Sequence, residues 1–157
     1  MKQSELIKAI GQYFDVRELV SKAVWDKHGT GAWRFFDPRL LETLLVLRRD
    51  ILRVPLVCNN WKSGGTLQQR GLRENTCATV KAKTSANALY LSAHTLGMAA
   101  DLSSGRMTAD EMRRAIEQNK DKLPHNVRIE DGASAPTWLH IDVATDYGQS
   151  GRIVTFK

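Results

Sequence analysis

The chain has 157 residues, 42% hydrophobic and 25% charged, which is long enough to bury one core without staples and too ordinary in composition for a disordered or fibrous protein. A net charge of +6 and a pI near 9.5 favour an anionic partner weakly, while two cysteines, Cys58 and Cys77, are too few for a disulfide scaffold. No apolar run reaches the roughly 18 residues that cross a bilayer, and Met1–Leu6 lacks the apolar stretch and cleavage site of a signal peptide, so no membrane association is expected.

The first third reads as helical. Leu6, Ile10 and Tyr13 or Phe14 space a short helix over 4–13. Asp15 with Glu18 forms a capping box, predicting a second helix that buries Leu19, Val20, Ala23 and Val24 and ends near Gly29. Asp37-Pro38 opens a core helix with Leu40, Leu44, Leu47 and Ile51 on one face, stopped by Pro55. Leu56-Val57-Cys58 reads as a short strand, with Cys58 as a buried small hydrophobe; Cys77 is left free, paired with Cys58 or near a metal. Residues 59–84 are polar and read as one long functional loop. Thr108 and Glu111 box the start of a helix carrying Met112, Ala115 and Ile116, which Pro124 ends. Val127–Glu130 and 137–143 alternate like strands around the turn 131–136, and 152–156 reads as an edge strand. Helices first and strands later predict one α+β domain over 1–157, with a helical part (1–54) packed on a largely antiparallel sheet (55–157).

Chemistry concentrates in Leu91–Asp101. His94 and Asp101 stand seven positions apart with Gly97 to allow a turn between them and the small Ala99 and Ala100 leaving space. His140, on the alternating stretch Trp138–Asp142, completes a His/His/carboxylate set of the kind a catalytic zinc uses when a fourth position stays open. The two-residue strand period puts Asp142 on the face of His140, where it would orient a ligating imidazole.

Ser92-x-His94-x-x-Gly97-x-Ala99-x-Asp101 followed by Leu139-His140-Ile141-Asp142 resembles the zinc D-alanyl-D-alanine carboxypeptidase and murein endopeptidase family, whose fold is shared with the hedgehog signalling domain; the chain looks most like phage or prophage members. The motifs cover about 59–143. The resemblance implies Zn²⁺ on His94, Asp101 and His140, with Ser92 in support, and a peptidoglycan peptide as partner; no nucleic-acid partner and a monomeric chain are expected. Family members often carry an acid three positions before the last His. Here that residue is Thr137, so the resemblance to hedgehog-like members implies Glu130 on the preceding strand as general base, with Asp131 in reserve. It also implies an Arg upstream of the first His. Ser63-Gly64-Gly65 lacks it, leaving Arg70 first and Arg73 second to face the scissile carbonyl or a substrate carboxylate. The expected activity is hydrolysis of stem peptides at a D-alanine-containing bond, and the alternative is a zinc-containing wall-binding or phage structural module without turnover. A nucleic-acid-binding domain would rest on charge alone, with no binding motif beside it.

Overall fold

A computed structural model of the chain describes residues 2–145 and 152–157. Among these, helices α1 (Gln3–Ile10), α2 (Val16–Leu19), α3 (Lys22–His28), α4 (Pro38–Val46), α5 (Ala78–Ser85) and α6 (Ala109–Gln118) accompany strands β1 (Ala99–Leu102), β2 (Val127–Glu130), β3 (Leu139–Asp142) and β4 (Ile153–Phe156). None of the helices is long and apolar enough to cross a membrane.

The start signals act where the sequence places them. Asp15 accepts from the Arg17 amide and Glu18 returns to the Asp15 amide, Asp37 accepts from the Arg39 amide with Pro38 in the first turn, and Thr108 and Glu111 close their box. α4 then continues through a wider π turn, Leu47–Ile51. α1 packs on α4, and Leu6, Ile10, Leu40, Leu41 and Leu44 are almost wholly buried between them.

The sheet order is β1-β3-β2-β4. β3 pairs antiparallel with both β1 and β2, whereas β4 runs parallel to β2, so the expected largely antiparallel sheet is a mixed one with a parallel edge. Alternation gives the sheet two unlike faces. Ala100, Leu102, Val127, Ile129, Leu139 and Ile141 are buried in the core, while Asp101, Arg128, Glu130, His140 and Asp142 share the opposite face. Ala100 therefore points away from Asp101, and only Ala99 of the two small residues lies on the polar side.

Three expectations need correcting. The second helix is two: Val20 is extended, and Ser21 caps a fresh start by accepting from the Val24 amide. The break makes room for Leu72, whose amide donates to Leu19 O (2.8 Å) and whose carbonyl accepts from the Ser21 amide (2.9 Å). Nor is 59–84 all loop, because its end enters α5. That helix buries Val80 alone and has no side-chain cap, so it carries neither the stripe nor the start signal that would betray it. The strand expected at Leu56–Cys58 is a single bridge, Val57 to Ser103. Cys58 and Cys77 are both buried and free.

Gly97 holds the turn that delivers β1. Its φ is +68°, a left-handed value costly for other residues, and a Cβ there would stand 2.1 Å from the Phe35 carbonyl oxygen. Gly97→Ala is expected to lower folding stability by about 1–3 kcal/mol in thermal or denaturant unfolding, since it adds backbone strain to a clash with main chain.

Candidate metal centre

The sheet register builds the site. Asp101 stands opposite His140, Arg128 opposite Asp142, and the same β2–β3 register puts Glu130 opposite His140, with Phe156 beyond it on β4. One row across four strands thus reads Asp101, His140, Glu130, Phe156. His94 arrives from outside the sheet, on the tight turn in which the Gly97 and Met98 amides bond His94 O and Ala93 O.

Each ligand-type atom is aimed by a partner. His94 Nδ1 donates to Gly71 O (3.0 Å), which leaves Nε2 as the lone-pair nitrogen, 3.5 Å from Asp101 Oδ1. His140 Nε2 faces Asp142 Oδ2 at 3.0 Å, and its Nδ1 lies 2.7 Å from Asp101 Oδ1. Asp142 is fully buried and is held in turn by Arg128, whose Nε and Nη2 donate to its two oxygens at 2.8 and 3.1 Å. The Asp101 amide donates to Arg70 O (2.7 Å), fixing the strand against the loop. One ligand atom each from His94, Asp101 and His140 lies within 4.8 Å of the others, and this group could hold a metal ion. The donor set suits one: two imidazoles, each with one nitrogen held by a partner outside the group and the other turned toward Asp101, and one carboxylate.

The metal-free electrostatics follow from the same contacts. Burial opposes the His140 imidazolium, yet Asp101 and then Asp142 outweigh it and push its pKa up to about 9. Burial likewise opposes the Asp101 carboxylate, and the hydrogen bond from the charged His140 outweighs it, holding the carboxyl well below the usual range. Binding at neutral pH must therefore displace the His140 Nδ1 proton. Divalent-metal affinity is expected to weaken by about tenfold per pH unit below 9, with proton release measurable by calorimetry in buffers of different ionisation enthalpy. Asp142→Ala removes the group that orients His140 and should weaken metal affinity by roughly 10–100-fold in competition with a chelating dye.

A cavity of about 370 Å³ opens over this face. His94, Asp101, His140, Asp142, Ser92 and Glu130 all line it, as does Arg73. Arg70 and Asp131 do not: the Arg70 guanidinium donates to Ser103 Oγ (3.1 Å) and lies over the Trp138 ring (5.9 Å), and Asp131 accepts from the Ser134 amide to close the β2–β3 turn. Of the two arginines, Arg73 and not Arg70 lines this cavity. Arg73 Nη2 is 3.9 Å from Asp101 Oδ2, and its buried Nε has no hydrogen-bond partner. Arg113 reaches from α6 to the carbonyls of Glu130, Ala135 and Trp138 at 3.0, 2.6 and 2.8 Å, so it ties down the turn on which Glu130 and Trp138 ride.

Sequence reading passed over Gly71, Arg128, Tyr90 and Phe156. Arg128 was accessible to it, standing two positions before Glu130 on a strand and hence on the same face. Phe156, edge-on to His140 at 5.5 Å, depends on the parallel pairing of β4, which no local signal announces. Gly71 supplies the carbonyl that His94 needs and touches α2 so closely that a Cβ would meet Leu19 O at 2.0 Å. Comparison of the chain with protein-family models, with curated proteins and with solved structures gave no match.

Proposed function

We propose that the chain is a zinc-dependent peptidase of the hedgehog/D-alanyl-D-alanine peptidase fold, hydrolysing peptidoglycan stem peptides at a bond involving D-alanine. The observation that carries this reading is the cross-strand row in which Glu130 stands next to His140, on the wall of the cavity that also holds His94 and Asp101. The motif around His94, Asp101 and His140 supplies the substrate class by resemblance.

A zinc ion on His94 Nε2, an Asp101 oxygen and His140 Nδ1 would supply Lewis acidity, polarising a scissile carbonyl and acidifying water near neutral pH. The chain's own groups do the rest. The Glu130 carboxylate accepts the proton of the attacking water and hands it to the departing amine. Arg73, which lines the cavity with its Nη2 3.9 Å from Asp101 Oδ2, donates to the carbonyl oxygen as charge builds on it, or to a substrate carboxylate. Asp142 and Arg128 keep His140 in one orientation throughout. Tyr90, Trp138 and Phe156 give the cavity apolar walls.

A second reading, a zinc-containing module without turnover, draws on Thr137 at the place where family members often carry an acid. Thr137 lines a different cavity, beside Pro136 and Ser103, and Glu130 lines the metal one, which favours the enzyme. Mass spectrometry of muropeptides incubated with zinc-loaded protein separates the two. Product masses that report a cleaved D-alanine bond are expected; intact muropeptides would leave only the module.

A further inference from the structure

α5 stands off the body of the molecule. Val80 is the only residue it buries, and from Lys81 to Leu89 every residue is exposed. Asn87, at a left-handed φ of +54°, follows the helix end, and Leu89, Tyr90 and Leu91 beyond it make no main-chain hydrogen bond among the described residues. The tip of this arm carries Leu89 and Leu91, 91% and 74% exposed, the two most exposed large apolar side chains described. Tyr90 between them is half-buried on the wall of the metal cavity and fixes the arm at that end. The charge along the arm has one sign. No Asp or Glu occurs between Glu74 and Asp101, and Lys81 and Lys83 are exposed without an ion pair among the described residues. Lys83 Nζ lies 6.0 Å from the centre of the Tyr90 ring, so cation, aromatic ring and apolar tip adjoin.

We infer that this arm docks the chain on an anionic lipid surface, with Leu89 and Leu91 entering the layer beneath the headgroups and Lys81 and Lys83 meeting the phosphates. The placement of the side chains favours lipid over a protein partner. α5 has no apolar stripe for a groove or a second helix to read, and its apolar residues are confined to a projecting tip, which suits a layer that reshapes around what enters it. Lysines without acids beside them are drawn to anionic headgroups, and a tyrosine is at home where apolar and wet layers meet. The contact is with a surface, since no helix is long and apolar enough to cross one, and the expectation of no membrane association, drawn from the lack of a spanning run, does not reach it. Neither the metal nor the peptidase reading is needed for this docking. Because Tyr90 and Leu91 also line the metal cavity, the docked chain holds the mouth of that cavity beside the headgroups.

The test is cosedimentation of the full chain with vesicles of phosphatidylglycerol and phosphatidylcholine in equal parts, and with vesicles of phosphatidylcholine alone. The anionic vesicles should bind about tenfold tighter. Leu89→Ser/Leu91→Ser, which removes the tip without changing charge, and Lys81→Glu/Lys83→Glu should each weaken binding to them about tenfold. Lys2→Glu/Lys8→Glu, which makes the same charge change on α1, should stay within about twofold of the unsubstituted chain. All six substituted side chains are exposed, and circular dichroism reports that the variants fold. Equal binding to the two vesicles, unchanged affinity in either arm variant, or an equal loss in the α1 variant overturns the docking and leaves net charge as the cause. No binding to anionic vesicles at millimolar lipid also overturns it, with a protein partner then the occupant that the arm fits. So does a chain that sediments as a dimer without vesicles and as a monomer in Leu89→Ser/Leu91→Ser, because a second copy would then cover the tip.

Discussion

Glu130→Gln is expected to retain stoichiometric zinc and to lose roughly 10²–10⁴-fold in the rate of peptide hydrolysis, the range that one positioned general base contributes. The two halves of that result come from different contacts. Glu130 lies opposite His140 across the β2–β3 pair and lines the cavity, but it is not among the three residues whose ligand atoms converge. Replacing its carboxylate by an amide of the same shape leaves the strand and the Arg113 hydrogen bond to its carbonyl untouched, because that bond is made to main chain. Zinc content by elemental analysis and turnover on muropeptides therefore separate cleanly. An active Glu130→Gln protein would remove Glu130 from the mechanism, and loss of zinc with activity would make it a structural support.

Arg73→Ala is expected to lower kcat/KM by roughly 10²–10³-fold, the scale for loss of one preorganised donor at a developing oxyanion. The side chain is only 11% exposed, so a hydrogen bond it gives acts where water competes poorly. Arg70→Ala should cost much less. That side chain is occupied with Ser103 and the Trp138 ring, outside the cavity, and its removal loosens one wall rather than a contact with the reacting carbonyl. Steady-state kinetics on one peptide with both variants makes the comparison, and equal losses would contradict the division of roles.

The group that could hold a metal ion was legible because its elements are governed by short-range rules. Gly97 announces a turn, the alternation around His140 fixes the face shared with Asp142, and the hairpin pairing of 127–130 with the last His brings Glu130 alongside. The helix caps at Asp15, Asp37 and Thr108 were legible for the same reason. What escaped depends on partners distant in sequence. Val20 leaves the helix so that Leu72, fifty-two positions on, can bond the chain on either side of it, and nothing in the local propensity of Val20 reports that exchange. The choice between Arg70 and Arg73 has the same origin: both sit on one irregular stretch without periodicity, and Gly71 between them, pressed against Leu19, decides which faces the ligands. β4 is visible as a strand, but its parallel pairing with β2, and with it the place of Phe156, follows from how the chain returns to the sheet.

Elemental analysis of the purified chain after exchange into zinc and removal of loosely held ion tests the centre itself, on the unsubstituted protein and on His94→Ala, Asp101→Ala and His140→Ala. Convergence of His94 Nε2, Asp101 and His140 Nδ1 predicts one zinc per chain, lost in each of the three variants while they remain folded by circular dichroism. An unsubstituted protein that retains no zinc, or variants that retain as much as it does, would contradict the account.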